Sequence, residues 1–398
     1  MKVLILNWKH PADPLAGGAE VYVTRLAAEW AAQGHSVDML VPPVGKERLV
    51  GADPWPTGCR VLPLGDTRSS SRPTRRYRRT YTRIWSSLSF FRAVRGYLRA
   101  HGDDYDRVVE SVSTRPFFAD SIVGERAIIL YHQGAGALWC EEFVPPASWI
   151  GRWLIEPHWV RQMRRARVVV VSPSTEADLV ARQVPVEGVI APGIDLPTEP
   201  VARRLGDPPH HIVFLGRLVT SKRPLEALAA FAQIRTALPT ATLDVIGDGY
   251  LAENLRQQRA PGVTVHGFVA ETRKAEMLAR ADLMLMPGTR EGWGIVAMEA
   301  AALGTPVVGY KIAGVRDAIL EGVTGVLTDP TPHALADAAV RLLADPDRWA
   351  QLSSAAAKRA REYAWRAVAD RWLAVLEQRD AGESSVGLQP MSVGSRPS

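Results

Sequence analysis

Short apolar runs alternate along this chain with stretches of helical periodicity, and that alternation limits the fold more than any other feature. VLIL (3–6), SVDMLV (36–41), RVVE (107–110), AIILY (127–131) and RVVVVS (167–172) fall in the first half. HIVFLG (211–216), TLDVIG (242–247), VTVHGF (263–268), DLMLMP (282–287), PVVGY (306–310) and TGVLT (324–328) fall in the second. Strands separated by helices pair in parallel, so the pattern predicts an α/β protein of two doubly wound sheets in tandem. A helix is expected from Gly18 to Gln33, closed by Gly34, and another after Lys222 that buries Leu225, Leu228 and Ala232. The proline-rich stretch 191–211 reads as the connection between the halves, and the small, polar 381–398 as a disordered tail. No short repeat is present, which excludes solenoids and propellers.

At 398 residues the chain is long enough for two cores, and its 46% hydrophobic and 23% charged residues describe a globular protein. No run approaches the roughly 20 apolar residues that span a bilayer. The opening MKVLILNWKH reads as a buried strand and not as a signal-peptide core. The two cysteines, Cys59 and Cys140, have no metal-ligand spacing and support neither a disulfide framework nor a zinc site. A reducing cytoplasmic setting is therefore expected.

The chemistry is concentrated where predicted strands end. REGWGIVAMEA (290–300) follows one strand and leads into a helix ended by Gly304. A helix N-terminus offers unpaired N–H groups and a partial positive charge that suit phosphate, and Gly292 and Gly294 allow close approach. Glu299, one turn deeper, is placed to accept two hydrogen bonds from a vicinal diol such as a ribose. Glu291 faces whatever lies beyond the phosphates. A capped helix with two solvated acids fits the same spacing. In FLGRLVTSKRPLEAL, Arg217 follows a strand and Lys222 starts a helix, as two cations able to neutralise a diphosphate or as ordinary loop residues. Gly17 and Gly18 open the helix of GGAEVYVTRLAAEW, without the third glycine of a dinucleotide fingerprint. IILYHQGAG sets His132 at a strand end, facing the crevice or serving the core. Asp104–Asp106 and Asp345–Asp347 match an Asp-x-Asp metal turn in letters, but the first leads into a strand and the second caps a helix.

Together GGAEVYVTRLAAEWAAQGHSVDML, VIAPGID, GRLVTSKRP, VIGDG, VTVHGF and REGWGIVAMEAAALGTPVVGY resemble the retaining glycosyltransferases of family 4, up to residue 375. The resemblance implies the GT-B fold, two Rossmann-like domains facing across a cleft. Residues 1–192 would form the acceptor-side domain and 208–362 the nucleotide-sugar domain, followed by a C-terminal helix at 363–380. It implies transfer of a hexosyl group from a nucleoside diphosphate sugar with retention. Glu299 would hold the ribose, and Glu291 the donor sugar hydroxyls. Arg217 and Lys222 would meet the diphosphate, with Gly17, Gly18 and the amides of Gly294, Ile295 and Val296. Gly267 to Val269 would contact the base, and His132 would stand near the transferred sugar. His132 and Glu291 are the expected catalytic residues. The donor is expected to be a UDP-sugar or GDP-mannose, with Glu271 as a candidate reader of guanine. With two cations and a helix N-terminus aimed at the leaving group, no metal or other cofactor is expected.

Residues 68–99 hold ten arginines, no lysine and no acid, and without them the chain's net charge of +6 becomes negative. Ile84, Leu88, Phe91 and Leu98 recur at helical spacing, Arg92, Arg95 and Arg99 share another face, and Tyr77, Tyr81, Trp85 and Phe90 read as interfacial aromatics. This fits a basic amphipathic element on an anionic membrane, or a packed helix with a solvated arginine face. No nucleic-acid motif accompanies it. Trp139, Trp149, Trp153 and Trp159 form a second aromatic group, as core or as acceptor wall. The leading expectation is a glycolipid or cell-envelope glycan acceptor, with the enzyme peripheral on the inner face of the membrane. A soluble small-molecule or natural-product acceptor is the alternative, and a sugar-nucleotide epimerase the second.

Overall fold

The computed structural model describes residues 1–13, 16–43, 58–65, 76–113, 115–134, 136, 139–140, 145–199 and 203–378, so the tail at 381–398 lies outside them. The chain forms two compact units, Met1–Ala191 with Val368–Ser398, and Pro192–Ala367.

The first unit runs β1 (Lys2–Leu6), α1 (Gly18–Ala32), β2 (Ser36–Val41), β3 (Cys59–Pro63), α2 (Arg76–His101), β4 (Arg107–Val112), α3 (Asp120–Val123) and β5 (Ala127–Tyr131). After these come α4 (Ala147–Ile150), a π turn (Gly151–Ile155), α5 (Glu156–Gln162), β6 (Arg167–Val170), α6 (Pro173–Ala181) and β7 (Gly188–Val189). All its strands pair in parallel, in the order β3-β2-β1-β4-β5-β6-β7. The winding therefore reverses between β1 and β4, where Leu6 stands opposite Glu110. Central strands buried on both faces must be apolar throughout, and Val3 to Leu6 are fully buried. Asp38 is the exception in β2. Arg60 of β3 grips it with two bonds of 2.7 and 2.6 Å, and the Tyr105 hydroxyl adds a third. Burial raises the Asp38 carboxyl, but these partners outweigh it and hold it below the usual carboxylate range. β3 carries that arginine and a proline, and at its half-buried edge position it has no continuous apolar run.

Helix α2 corrects two details of the reading of the arginine-rich segment, while the side chains of Tyr77, Tyr81, Ile84 and Trp85 lie outside the described residues. Phe90, expected among interfacial aromatics, is buried with Val94 and Leu98 against Phe117 and Val123. Arg95 does not join a solvated face. Its guanidinium donates to the carbonyls of Phe117 and Phe118, both at 3.0 Å. Arg92 and Arg99 are exposed, while Arg68, Arg72 and Arg75 lie outside the described residues.

The second unit runs β8 (His211–Leu215), α7 (Pro224–Ala237), β9 (Thr242–Ile246), α8 (Ala252–Gln257), β10 (Val263–Gly267), α9 (Glu271–Arg280), β11 (Leu283–Met286) and α10 (Ile295–Ala302). It continues with β12 (Val307–Tyr310), α11 (Val315–Ala318), β13 (Gly325–Thr328), α12 (Pro332–Leu343) and α13 (Pro346–Ala360). Its parallel sheet has the order β10-β9-β8-β11-β12-β13, again reversing after the first strand. The buried stripe of α7 is Pro224, Ala227, Leu228, Ala230, Phe231 and Ile234. Leu225 and Ala232 are exposed, contrary to the sequence reading, because the 3.6-residue period starts at Pro224 and not one position later. Asp345 caps α13, accepting from the Arg348 N–H at 2.9 Å, which gives the DPD triplet a structural task.

The last helix, α14 (Trp365–Glu377), carries the chain back to the first unit. Trp372 is fully buried there, its indole N–H 2.8 Å from the Tyr22 hydroxyl and its ring edge-on to Trp30. Tyr22 donates in turn to the Ile190 carbonyl. This apolar seam of three large rings binds residues far apart in sequence into one core.

Candidate functional site

In a doubly wound sheet the crevice lies beyond the carboxyl ends of the strands, where the strand order reverses. In the second unit that point is β8 against β11, and the loops leaving these strands are stitched together. Thr289 donates to the Ser221 carbonyl from its backbone at 2.9 Å and from its hydroxyl at 3.1 Å. Beside this stitch the Lys222 ammonium forms an ion pair with the Glu291 carboxylate, both side chains largely buried. Two residues 69 positions apart are thus in contact. Glu291 rests on Gly314, where any Cβ would stand 2.2 Å from the Glu291 carbonyl oxygen. Gly294 precedes α10 with a left-handed φ of 81°, a conformation glycine adopts without steric cost. Ile295 and Val296 form the first turn. Arg217, two residues after β8, is exposed.

Glu299 lies one turn into α10 and meets a residue that sequence reading missed. Lys274 of α9 stands 3.1 Å from Glu299 and 2.6 Å from Glu271. Burial pushes the Glu299 carboxyl up, and the lysine opposes that shift without cancelling it. Burial pulls Lys274 down, yet the two carboxylates hold it above the ordinary lysine range. In sequence only the Glu271–Lys274 spacing of a helix pair was visible, and nothing tied it to Glu299. One Glu271 oxygen is taken up by that lysine. At the preceding turn Gly267 has φ 75°, Phe268 is 70% exposed and Val269 is half-buried.

In the first unit Gly17 caps α1 in extended conformation, and its N–H donates to the Glu20 carboxylate at 2.6 Å. Gly18 is exposed at the first helical position. His132 follows β5 and is 7% exposed, with Nε2 3.1 Å from the Ser111 hydroxyl and its ring edge-on to Tyr22. Burial lowers its pKa to about 3, so it is a neutral imidazole at ordinary pH. The tryptophan group divides. Trp139 lies on Gly151, where a Cβ would be 2.0 Å from its ring, and donates to Glu156 at 2.9 Å. Trp149, Ile150, Trp153 and Leu154 stand 59, 46, 66 and 67% exposed, so Trp149 and Trp153 are not core. No described helix is long and apolar enough to cross a membrane.

Residues 16–198 match the family model described as Glycosyltransferase Family 4, and residues 198–361 the one described as Glycosyl transferases group 1. A D-inositol 3-phosphate glycosyltransferase of Corynebacterium glutamicum is 32% identical over 240 residues, 56% of this chain and 54% of that protein. A glycogen synthase of Mycobacterium tuberculosis is 35% identical over 189 residues, 46% of each. The chain thus spans about half the length of the curated relatives it matches. Among solved structures, sucrose-phosphate synthase from Thermosynechococcus elongatus superposes with a TM-score of 0.72 at 22% identity, covering 94% of this chain and 98% of that one. HepE of Anabaena, solved with UDP and glucose, gives 0.65 at 19%, covering 94% and 99%. At such identities the likeness is one of fold, and that fold is GT-B.

His132 and Glu110 set opposite pH slopes in the first unit. Burial raises the Glu110 carboxyl to about 7, against its bonds from the Ala119 and Phe117 N–H groups. His132 contributes stability above its unfolded pKa near 6.5 that is lost as pH falls toward 3. Glu110 contributes stability below its unfolded pKa near 4.5 that is lost as pH rises through 7. Between about pH 4.5 and 6.5 the two oppose each other. Glu110→Gln should leave stability falling with acid over that range by up to about 1.4 kcal/mol per pH unit. Urea unfolding at several pH values reads this, and a slope equal to the parent's would refute it.

Proposed function

The chain belongs to glycosyltransferase family 4, and from that premise we propose that it transfers a hexosyl group from a nucleoside diphosphate sugar to an acceptor hydroxyl. In this reading the transfer retains the anomeric configuration and uses no metal. The Lys222–Glu291 pair carries the reading. It joins a phosphate-binding cation and a sugar-binding acid beside the N-terminus of α10, at the sheet's switch point. A donor would divide the pair, giving Lys222 phosphate oxygens and Glu291 sugar hydroxyls.

The residues then have separable tasks. Charge grows on the leaving diphosphate as its bond to the anomeric carbon breaks. Lys222, Arg217 and the amides of Gly294 to Val296 meet that charge. Glu299 accepts from the ribose diol, and Lys274 opposes the upward shift that burial gives its carboxyl. His132, neutral and fixed by Ser111, offers a hydrogen bond near the transferred sugar and not a proton source. The UDP complex of HepE supports a uridine donor. The relatives named for inositol phosphate and glycogen support a soluble acceptor. Incubation with donor alone separates transfer from epimerisation, which needs no acceptor.

The exposed Trp149, Ile150, Trp153 and Leu154 favour a second reading, a glycolipid acceptor met at a membrane surface. Tryptophan and leucine insert at the headgroup level, and the basic segment adds attraction to anionic lipid.

Glu299→Ala should weaken binding of the free nucleoside diphosphate by about 1.5–3 kcal/mol in calorimetry. Unchanged affinity would remove the ribose assignment. Lys222→Ala and Arg217→Ala should each reduce turnover more than they raise the donor Michaelis constant, because their effect is greatest in the transition state. EDTA should leave parent turnover intact, and a strict Mg²⁺ or Mn²⁺ requirement would overturn the metal-free mechanism. For the membrane reading, Trp149→Ser with Trp153→Ser should abolish cosedimentation with anionic vesicles while sparing nucleotide affinity. A parent that never cosediments ends that reading.

A further inference from the structure

The reversal between β1 and β4 makes a switch point in the first unit too, and an arginine stands there with no countercharge among the described residues. Arg115 follows β4, and its carbonyl accepts from the indole N–H of Trp8, which follows β1, at 2.5 Å. Its guanidinium lies 4.2 Å from the Phe91 ring centre, 5.7 Å from Trp8 and 5.8 Å from Trp159. Among the described residues no carboxylate pairs with it, and its buried Nε has no hydrogen-bond partner. Burial alone accounts for the lowering of its pKa. Aromatic faces recover part of the cost of desolvating a cation, but they accept no N–H bond in its plane. Arg115 is half-buried, and an arginine nitrogen is normally taken out of water only with an acceptor to meet it.

The loop holding Arg115 is built, and not merely collapsed. Glu110, fully buried in β4, accepts from the backbone N–H groups of Phe117 and Ala119, while Arg95 grips the carbonyls of Phe117 and Phe118. Between them Phe118 is held at φ 58°, a left-handed conformation costly for a bulky residue. Phe117 stacks on Trp8 with ring centres 4.1 Å apart. Buried Glu110 and half-buried Arg95 thus fix a strained backbone directly after Arg115.

We propose that Arg115 anchors an oxyanion of the acceptor, a phosphomonoester or a carboxylate, in a subsite walled by Trp8, Phe91 and Trp159. The inference takes glycosyl transfer as its premise and adds that the acceptor is anionic. A planar fork receives two oxygens of either group, and the aromatic walls suit the apolar face of a sugar ring or similar body.

Calorimetry on the full chain with glucose 6-phosphate, glucuronate and glucose tests it. The parent should bind one or both charged probes about tenfold or more tighter than glucose. The tighter of the two identifies phosphate or carboxylate as the source of the anion. Arg115→Met should bring the charged probes down to the glucose level with UDP or GDP affinity unchanged. Arg115→Lys, which keeps the charge and loses the fork, should fall between. Equal binding of all three probes by the parent, or no binding of either charged probe, overturns the proposal without any variant. So does an Arg115→Met protein that keeps its preference. Loss of nucleotide binding by the parent would instead speak against the transfer reading.

Discussion

Parallel strands buried on both faces need helices above and below, and those crossovers leave only one edge of the sheet for chemistry. Both units obey this constraint with the same order over six strands, the first unit adding β7 at its edge. In each, the first strand and the strand that restarts the winding send their following loops out side by side. One such place holds Lys222 and Glu291, the other Trp8 and Arg115. The rest of each sheet serves to hold that pair of loops at fixed separation.

The two places handle charge differently. In the second unit the largely buried Lys222, Glu291, Lys274 and Glu299 each have an opposite neighbour, so these four groups pair among themselves. Such pre-pairing offsets part of the cost of taking these charges out of water and keeps each side chain in position. Around Arg115, among the described residues, aromatic faces stand where a carboxylate would ordinarily be. A self-neutralised site discriminates by geometry. A site with uncompensated charge discriminates by sign.

Most of the fold was legible because an apolar run of four to six residues between helical stretches suits little besides a buried parallel strand. Strands that broke the rule escaped notice: β3 carries Arg60 and Pro63, and β7 is two residues long. The loop and helix bearing Glu291 and Glu299 were readable from glycine positions and acid spacing. The contact of Lys222 with Glu291 and of Lys274 with Glu299 was not, since both depend on strand order. Arg95 illustrates the harder failure. In sequence it belonged with nine other arginines, and only the folded loop 115–119 shows that its task is to hold carbonyls. Leu225 shows a smaller one, because a helical period read from three residues leaves its phase uncertain by a position.

The seam of Trp372, Trp30 and Tyr22 bears on how the molecule comes to be made. Residues 192–367 are synthesised between the two parts of the first unit's core, so they are free to form a complete unit while that core still lacks its last helix. The N-terminal portion must wait on the translating ribosome with Tyr22 and Trp30 uncovered until residues 368–377 emerge. In this chain the core begun by the earlier residues is completed only by the later ones, after the intervening unit has been made.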